Sequence, residues 1–129
     1  MKLILALIMV LLFPVLGWSF TLTQTGVNVQ VTYTEPTTQE SLGGPTPLND
    51  LASTDISVID SGTVVQFITV PASAPTGGGS ISQDVVVDVQ AGEEKTYTFS
   101  VVATDLNGNV STPAEQNILI DRIPPSPVN

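Results

Sequence analysis

The sequence predicts an all-β fold, a two-sheet antiparallel β-sandwich of about seven strands, and three observations carry that expectation. Beyond residue 19, apolar and polar side chains alternate in one stretch after another. A period of two is the pattern of strands with one dry face and one wet face. The same region is dense in Thr, Val, Ser, Gly and Pro, which favour strands and turns over helices. Turn signals separate the alternating stretches at short intervals. A domain of about 110 residues with irregular loop spacing suits two sheets better than a closed barrel.

The N-terminal segment stands apart. Met1 and Lys2 precede LILALIMVLLFPVLGW, an apolar run that no acidic residue interrupts. One cation, an apolar stretch and then small residues form the pattern of a secretory signal. Gly17 and Ser19 have the spacing that signal peptidase requires, which places cleavage after Ser19. Residues 1–19 are then the signal peptide and Phe20 the mature start. A retained membrane anchor is the competing reading, but the run falls short of the roughly 20 apolar residues of a span and carries Pro14. The implied location is exported: extracellular, cell-surface or periplasmic. With no cysteine in the chain, neither a disulfide nor a cysteine-linked lipid is available. Packing must hold the domain together.

The elements of the domain, 20–121, read in order as follows. Val27, Val29, Val31 and Tyr33 alternate with Asn28, Gln30 and Thr32, and Pro36 closes that strand because it cannot donate to a ladder. Gly43-Gly44-Pro45 and Pro47 make a break. Ile56 and Val58 flank Ser57, and Asp60-Ser61-Gly62 suits a tight hairpin turn. The stretch 71–80, with Gly77-Gly78-Gly79, reads as a flexible loop. Val85, Val87 and Val89 alternate with Asp84, Val86 and Asp88. Tyr97, Phe99, Val101 and Ala103 share one face, and Asn107-Gly108 is the dipeptide of a two-residue hairpin turn. A last apolar group covers 118–120. The tail 122–129 is stiffened by Pro124, Pro125 and Pro127 into an extended spacer.

Three patches resemble bacterial and phage fibronectin type III-like domains. VTYTEPTT (31–38) is similar to the second strand of that family and the proline after it, with Tyr33 where Trp is commoner. PLNDLASTDISV (47–58) resembles the loop entering the third strand, with Thr54 where an aromatic is usual. YTFSVVATDLNGNVSTP (97–113) resembles the sixth strand and the hairpin after it. The resemblance implies that the Tyr97 hydroxyl bonds back to the backbone and pins a corner. VQAGEEKTY (89–97) is longer than the family's usual approach to that tyrosine. The ATDLNGN patch also resembles Ig-like repeats of bacterial adhesins.

Charge narrows the function classes. Twelve Asp and Glu face three Lys and Arg, and beyond residue 19 the only cations are Lys95 and Arg122. Without a basic patch the chain has nothing to displace counterions from nucleic acid or to hold an anionic membrane. The scattered acids, from Glu35 to Asp121, read as a solubilising surface. With neither His nor Cys, most nucleophilic and base-assisted mechanisms lose their usual groups. Asp105, Asn107 and Asn109 open like a calcium loop, but no carboxylate follows before Glu115, and a calcium loop needs six or more oxygens. The same residues serve a hairpin turn. Glu93-Glu94 read as a solvated turn and Asp84 with Asp88 as an exposed strand edge, neither a hydrolytic pair. Tyr33, Tyr97 and Phe99 fall on core faces, leaving Phe67 unassigned and no stacking platform for a sugar.

The expectation is therefore an exported, non-catalytic module with a structural or adhesive role and no cofactor, its partner a protein or cell surface. The alternatives are an Ig-like adhesin or virion-surface domain stabilised by calcium within a larger assembly, and a small secreted hydrolase.

Overall fold

The computed structural model describes residues 19–128. The segment expected to be a signal peptide therefore lies, but for Ser19, outside the described residues. All described elements are strands: β1 (Phe20–Thr25), β2 (Asn28–Thr34), β3 (Thr38–Gln39), β4 (Thr46–Pro47), β5 (Leu51–Asp60), β6 (Thr63–Pro71), β7 (Ser80–Val86), β8 (Glu94–Asp105) and β9 (Ala114–Asp121). They form a three-stranded sheet in the order β1-β2-β7, a four-stranded sheet in the order β6-β5-β8-β9, and the two-residue ribbon β3-β4. Every pairing is antiparallel. The all-β expectation holds, with seven long strands.

One core is shared by both large sheets. Phe20, Val29, Val31, Tyr33 and Val85 enter it from the three-stranded sheet, and Ile56, Val58, Tyr97, Phe99, Val101 and Ile120 from the four-stranded one. These are the alternating positions of their strands. A register slip of one residue would turn each set to water. Burying an aliphatic or aromatic side chain of this size contributes roughly 1.5–3 kcal/mol, so the alternation specifies the register strongly. Two glutamines bind the sheet edges to each other. Gln66 Nε2 of β6 donates to the Val86 carbonyl of β7 at 2.7 Å, and Gln116 Nε2 of β9 donates to the Phe20 carbonyl of β1.

Several local expectations are corrected. Val27 is not in a strand: Gly26 and Val27 form the two-residue turn that joins β1 to β2, closed by the Thr25–Asn28 pair. Val87 and Val89 lie beyond the end of β7 but stay buried, so the alternation outlasts the ladder. β6 was hidden in the sequence because its register against β5 shifts between Val58 and Ile59. The extra residue of a bulge breaks a period of two, and Val64-Val65 loses its phase. The Asp60-Ser61-Gly62 signal, by contrast, marks a two-residue turn with both central residues left-handed, Ser61 at φ 51° and Gly62 at φ 84°.

The strand directions sort the connections into two poles. β1 begins beside the end of β2, where Phe20 pairs with Tyr33. The connections 35–50, 72–79 and 106–113 lie at the same pole, because β2, β6 and β8 all end there. The turns 26–27 and 61–62, the segment 87–93 and the proline-rich exit lie at the other. The exit residues 122–128 are exposed and outside any strand, as the prolines dictate.

Phe99→Ala should lower stability by about 3–5 kcal/mol, the usual cost of emptying a large aromatic from a core. Leu42→Ala, at a fully exposed loop tip, should change it by no more than about 0.5 kcal/mol. Denaturant titration of the two variants checks the contrast.

Candidate functional site

The loop pole is held together by a buried carboxylate. Positions 29, 31 and 33 of β2 face the core, and Glu35 continues that phase one step beyond the strand end. It is only 2% exposed. Among the described residues no cation pairs with it; hydrogen bonds balance it instead. The Ser73 amide donates to Oε2 at 2.9 Å, the Gly79 amide to Oε1 at 2.9 Å, and the Ser73 hydroxyl also donates to Oε1. The Glu35 amide in turn donates to the Gly79 carbonyl at 2.9 Å. Burial, the largest single influence, pushes the Glu35 pKa up. The hydrogen bonds from Ser73 and Gly79 together outweigh it and hold the group below its ordinary value of 4.5.

This clamp corrects the reading of 71–80 as a flexible loop. A Cβ on Gly77 would collide with the Pro36 carbonyl oxygen, and one on Gly79 with Ser73 and the Glu35 carboxylate. Gly77 thus serves both close approach and a left-handed backbone, at φ 69°, while Gly79 serves close approach alone. Further main-chain bonds fasten the three connections: Leu51 N of β5 donates to Pro75 O at 3.0 Å, Leu48 N donates to Thr37 O within 35–50 at 2.9 Å, and Leu106 N donates to Asp50 O, joining two connections, at 2.8 Å.

Asp105, Asn107 and Asn109 are brought together, but as a turn. The Asp105 Oδ1 atom accepts from the amides of Asn107 (2.9 Å) and Asn109 (2.8 Å), and Oδ2 accepts from Asn109 Nδ2 at 2.9 Å. The Asn109 side chain, then the neighbouring amides, hold the Asp105 pKa below its ordinary value. Its carboxylate oxygens thus serve its own turn, Oδ1 its amides and Oδ2 the Asn109 side chain. The expected two-residue turn is in fact a three-residue loop, 106–108. Asp105 N donates to Asn109 O, Gly108 N donates to Asp105 O, and only Gly108 is left-handed, at φ 86°. The motif needs one positive φ rather than two, and Gly108 supplies it.

The remaining candidates stay apart. Glu93 Oε1 accepts from the Gln90 amide at 2.7 Å, and Glu94 opens β8 in solvent. Asp84 and Asp88 are exposed, and Asp88 Oδ1 accepts from Gln90 Nε2 at 2.9 Å. Among the described residues, no group of three or more His, Cys, Asp and Glu could hold a metal ion. Tyr33, Tyr97 and Phe99 are buried, while Phe67 is 62% exposed. The Tyr97 hydroxyl donates to the Asp88 carbonyl at 2.7 Å. Beside it Lys95 lies 5.6 Å from the ring centre and pairs with Asp60 at 2.9 Å.

Two acids contradict the reading of every carboxylate as solubilising surface. Glu35 is one. Asp55 is the other: it is buried on the outward face of β5, accepting from Thr104 Oγ1 at 2.7 Å and Ser53 Oγ at 3.2 Å. Glu35 was foreseeable from its phase in the alternation. For Asp55 the sequence carries no such signal, because its closer partner, Thr104, stands on another strand.

No family model, no curated protein and no solved structure matches the chain.

Glu35→Gln replaces one acceptor oxygen with an amide that faces donors, and should destabilise the fold by about 1–3 kcal/mol. The wild-type pKa is depressed on folding, so the stabilisation from ionised Glu35 is complete above 4.5. It is lost as pH falls through the lower folded value. Thermal melts across a pH series should therefore show a fall in the wild-type midpoint that sets in as pH drops below 4.5. The variant should lack the share of that fall that Glu35 contributes.

Proposed function

We propose that the chain is an exported, non-catalytic module, a fibronectin type III-like β-sandwich with a structural or adhesive role. The observation that carries this reading is the polarity of the fold. The chain enters at the pole that gathers the connections 35–50, 72–79 and 106–113, and leaves at the opposite pole through an extended proline segment. Such a layout presents loops at one end of a rigid scaffold, where binding residues usually sit. It also lets the module act as a link between neighbours.

The family resemblance draws support from the same geometry. Counting the seven long strands, the three resembling patches fall on the second, the third with the loop before it, and the sixth with the hairpin after it. The Tyr97 hydroxyl bonds back to a backbone carbonyl nine residues upstream, the contact that a tyrosine corner makes. Tyr33 and Thr54, the two residue-type departures from the family pattern beside the long approach 89–97, touch each other: their hydroxyls lie 2.6 Å apart in the core. A buried polar pair thus fills the space that larger aromatics would occupy.

Leu42 and Leu106 are exposed at the tips of two of the clustered connections. Beads coated with the protein should adhere to a cell surface or matrix protein. Replacing both leucines with Asp should reduce adhesion at least about tenfold, because charge at a contact centre costs several kcal/mol, without lowering the melting temperature. Measurable turnover on a panel of polysaccharides would overturn the non-catalytic reading. The melting midpoint should be the same with and without millimolar calcium. A rise would instead favour the calcium-stabilised adhesin reading, because a ligand that binds only the native state must raise it.

A further inference from the structure

We propose that β6 is the surface through which two copies of this chain associate, edge to edge and antiparallel about a two-fold axis. Both large sheets are open, so β1, β7, β6 and β9 are each edge strands with no strand paired on one side, although Gln66 and Gln116 take the Val86 and Phe20 carbonyls. An unpaired edge is a template for another strand unless charge, proline or a covering element blocks it. β7 carries Asp84, and β9 carries Glu115 and Asp121. β1 is uncharged but shows water mainly Thr and Gln side chains. β6 alone joins the absence of charge to exposed apolar side chains, Val64, Val65 and Phe67.

The backbone of β6 is in the right phase. Ala72 N donates to Ala52 O at 3.0 Å, and the register continues from there through Val70–Thr54, Ile68–Ile56 and Gln66–Val58. In an antiparallel ladder, alternate residues turn their N–H and C=O groups to the same partner. Val70, Ile68 and Gln66 therefore serve β5, while the amides and carbonyls of Phe67 and Thr69 point away from it. Pro71 falls on the outward phase, where its missing N–H costs the sheet nothing.

Charge selects a second copy as the occupant. The chain carries a net charge of −9, but no charged residue occurs between Ser61 and Gln83. Two copies repel each other wherever their carboxylates meet. Over β6 they do not. A two-fold axis near Phe67 brings identical donors, acceptors and apolar side chains together, as an isologous contact requires. A basic partner would find no carboxylate on this strand to hold it.

The chain lacks cysteine, so one substitution yields one thiol per copy. Full-length Phe67→Cys, treated with a short bis-maleimide and run on a denaturing gel, should give a band at twice the chain mass. Asn117→Cys, exposed on the edge strand β9, should give none. Adding Thr69→Pro to Phe67→Cys removes an outward amide that β5 does not use. It should cut the dimer band at least tenfold while the far-UV circular dichroism spectrum stays that of the folded chain. Absence of the band, equal bands from the two cysteine positions, or a band that survives Thr69→Pro would each overturn the proposal.

Discussion

The antiparallel ladder between β5 and β8 is the constraint on which the rest of the molecule depends. Its core face sets Thr54, Ile56 and Val58 against Ala103, Val101 and Phe99, all buried. Its outward face is partly buried as well, with Asp55 and Ser100 near the burial of core residues. A strand pair closed on both faces cannot slip by one residue without putting Asp55 into the apolar interior. Its register is therefore set twice, by apolar burial and by the Thr104–Asp55 hydrogen bond. Everything else hangs from it. β6 folds back from the far end of β5, β9 folds back onto β8, and the bulge near Val58 lies where β6 leaves the common register.

The two poles are secured by different chemistry. At the loop pole the Glu35 carboxylate organises neutral donors, so the connections 35–50 and 72–79 become extensions of the scaffold. Hydrogen bonds to a charged acceptor are stronger than those between neutral groups, which suits a junction with little apolar area of its own. At the exit pole the Tyr97 hydroxyl and the Arg122 guanidinium reach the carbonyls of Asp88 and Val89. Those two residues belong to the segment that crosses from one sheet to the other. The crossing is therefore fastened from both sides, and the chain leaves in a defined direction. The Lys95–Asp60 pair nearby is exposed to solvent, and such pairs contribute little.

Much of the fold was legible because it is written in local periodicity. Tyr97, Phe99, Val101 and Ala103 announce a core face without reference to any other strand, and so do Val29, Val31 and Tyr33. β6 was obscured for an equally local reason, since a bulge destroys the period that reveals a strand. The candidate site was legible only in part. Asp105, Asn107 and Asn109 were correctly seen as one cluster, yet the loop is one residue longer than the Asn-Gly dipeptide suggests. Glu35 carried a signal in its phase, but its partners Ser73 and Gly79 lie about forty positions away.

By itself, then, the sequence determined the all-β class, which residues turn inward, and where several of the turns fall. Each of these follows from the preferences of a residue and its immediate neighbours. Only the tertiary structure decided that Glu35 is buried among donors rather than dissolved, and that three distant connections share one pole. It likewise decided that the uncharged strand β6 stands at an open edge. Those facts depend on which strands become neighbours in space. That choice is made by the joint burial of side chains from both sheets, a property of the whole core and of no single segment.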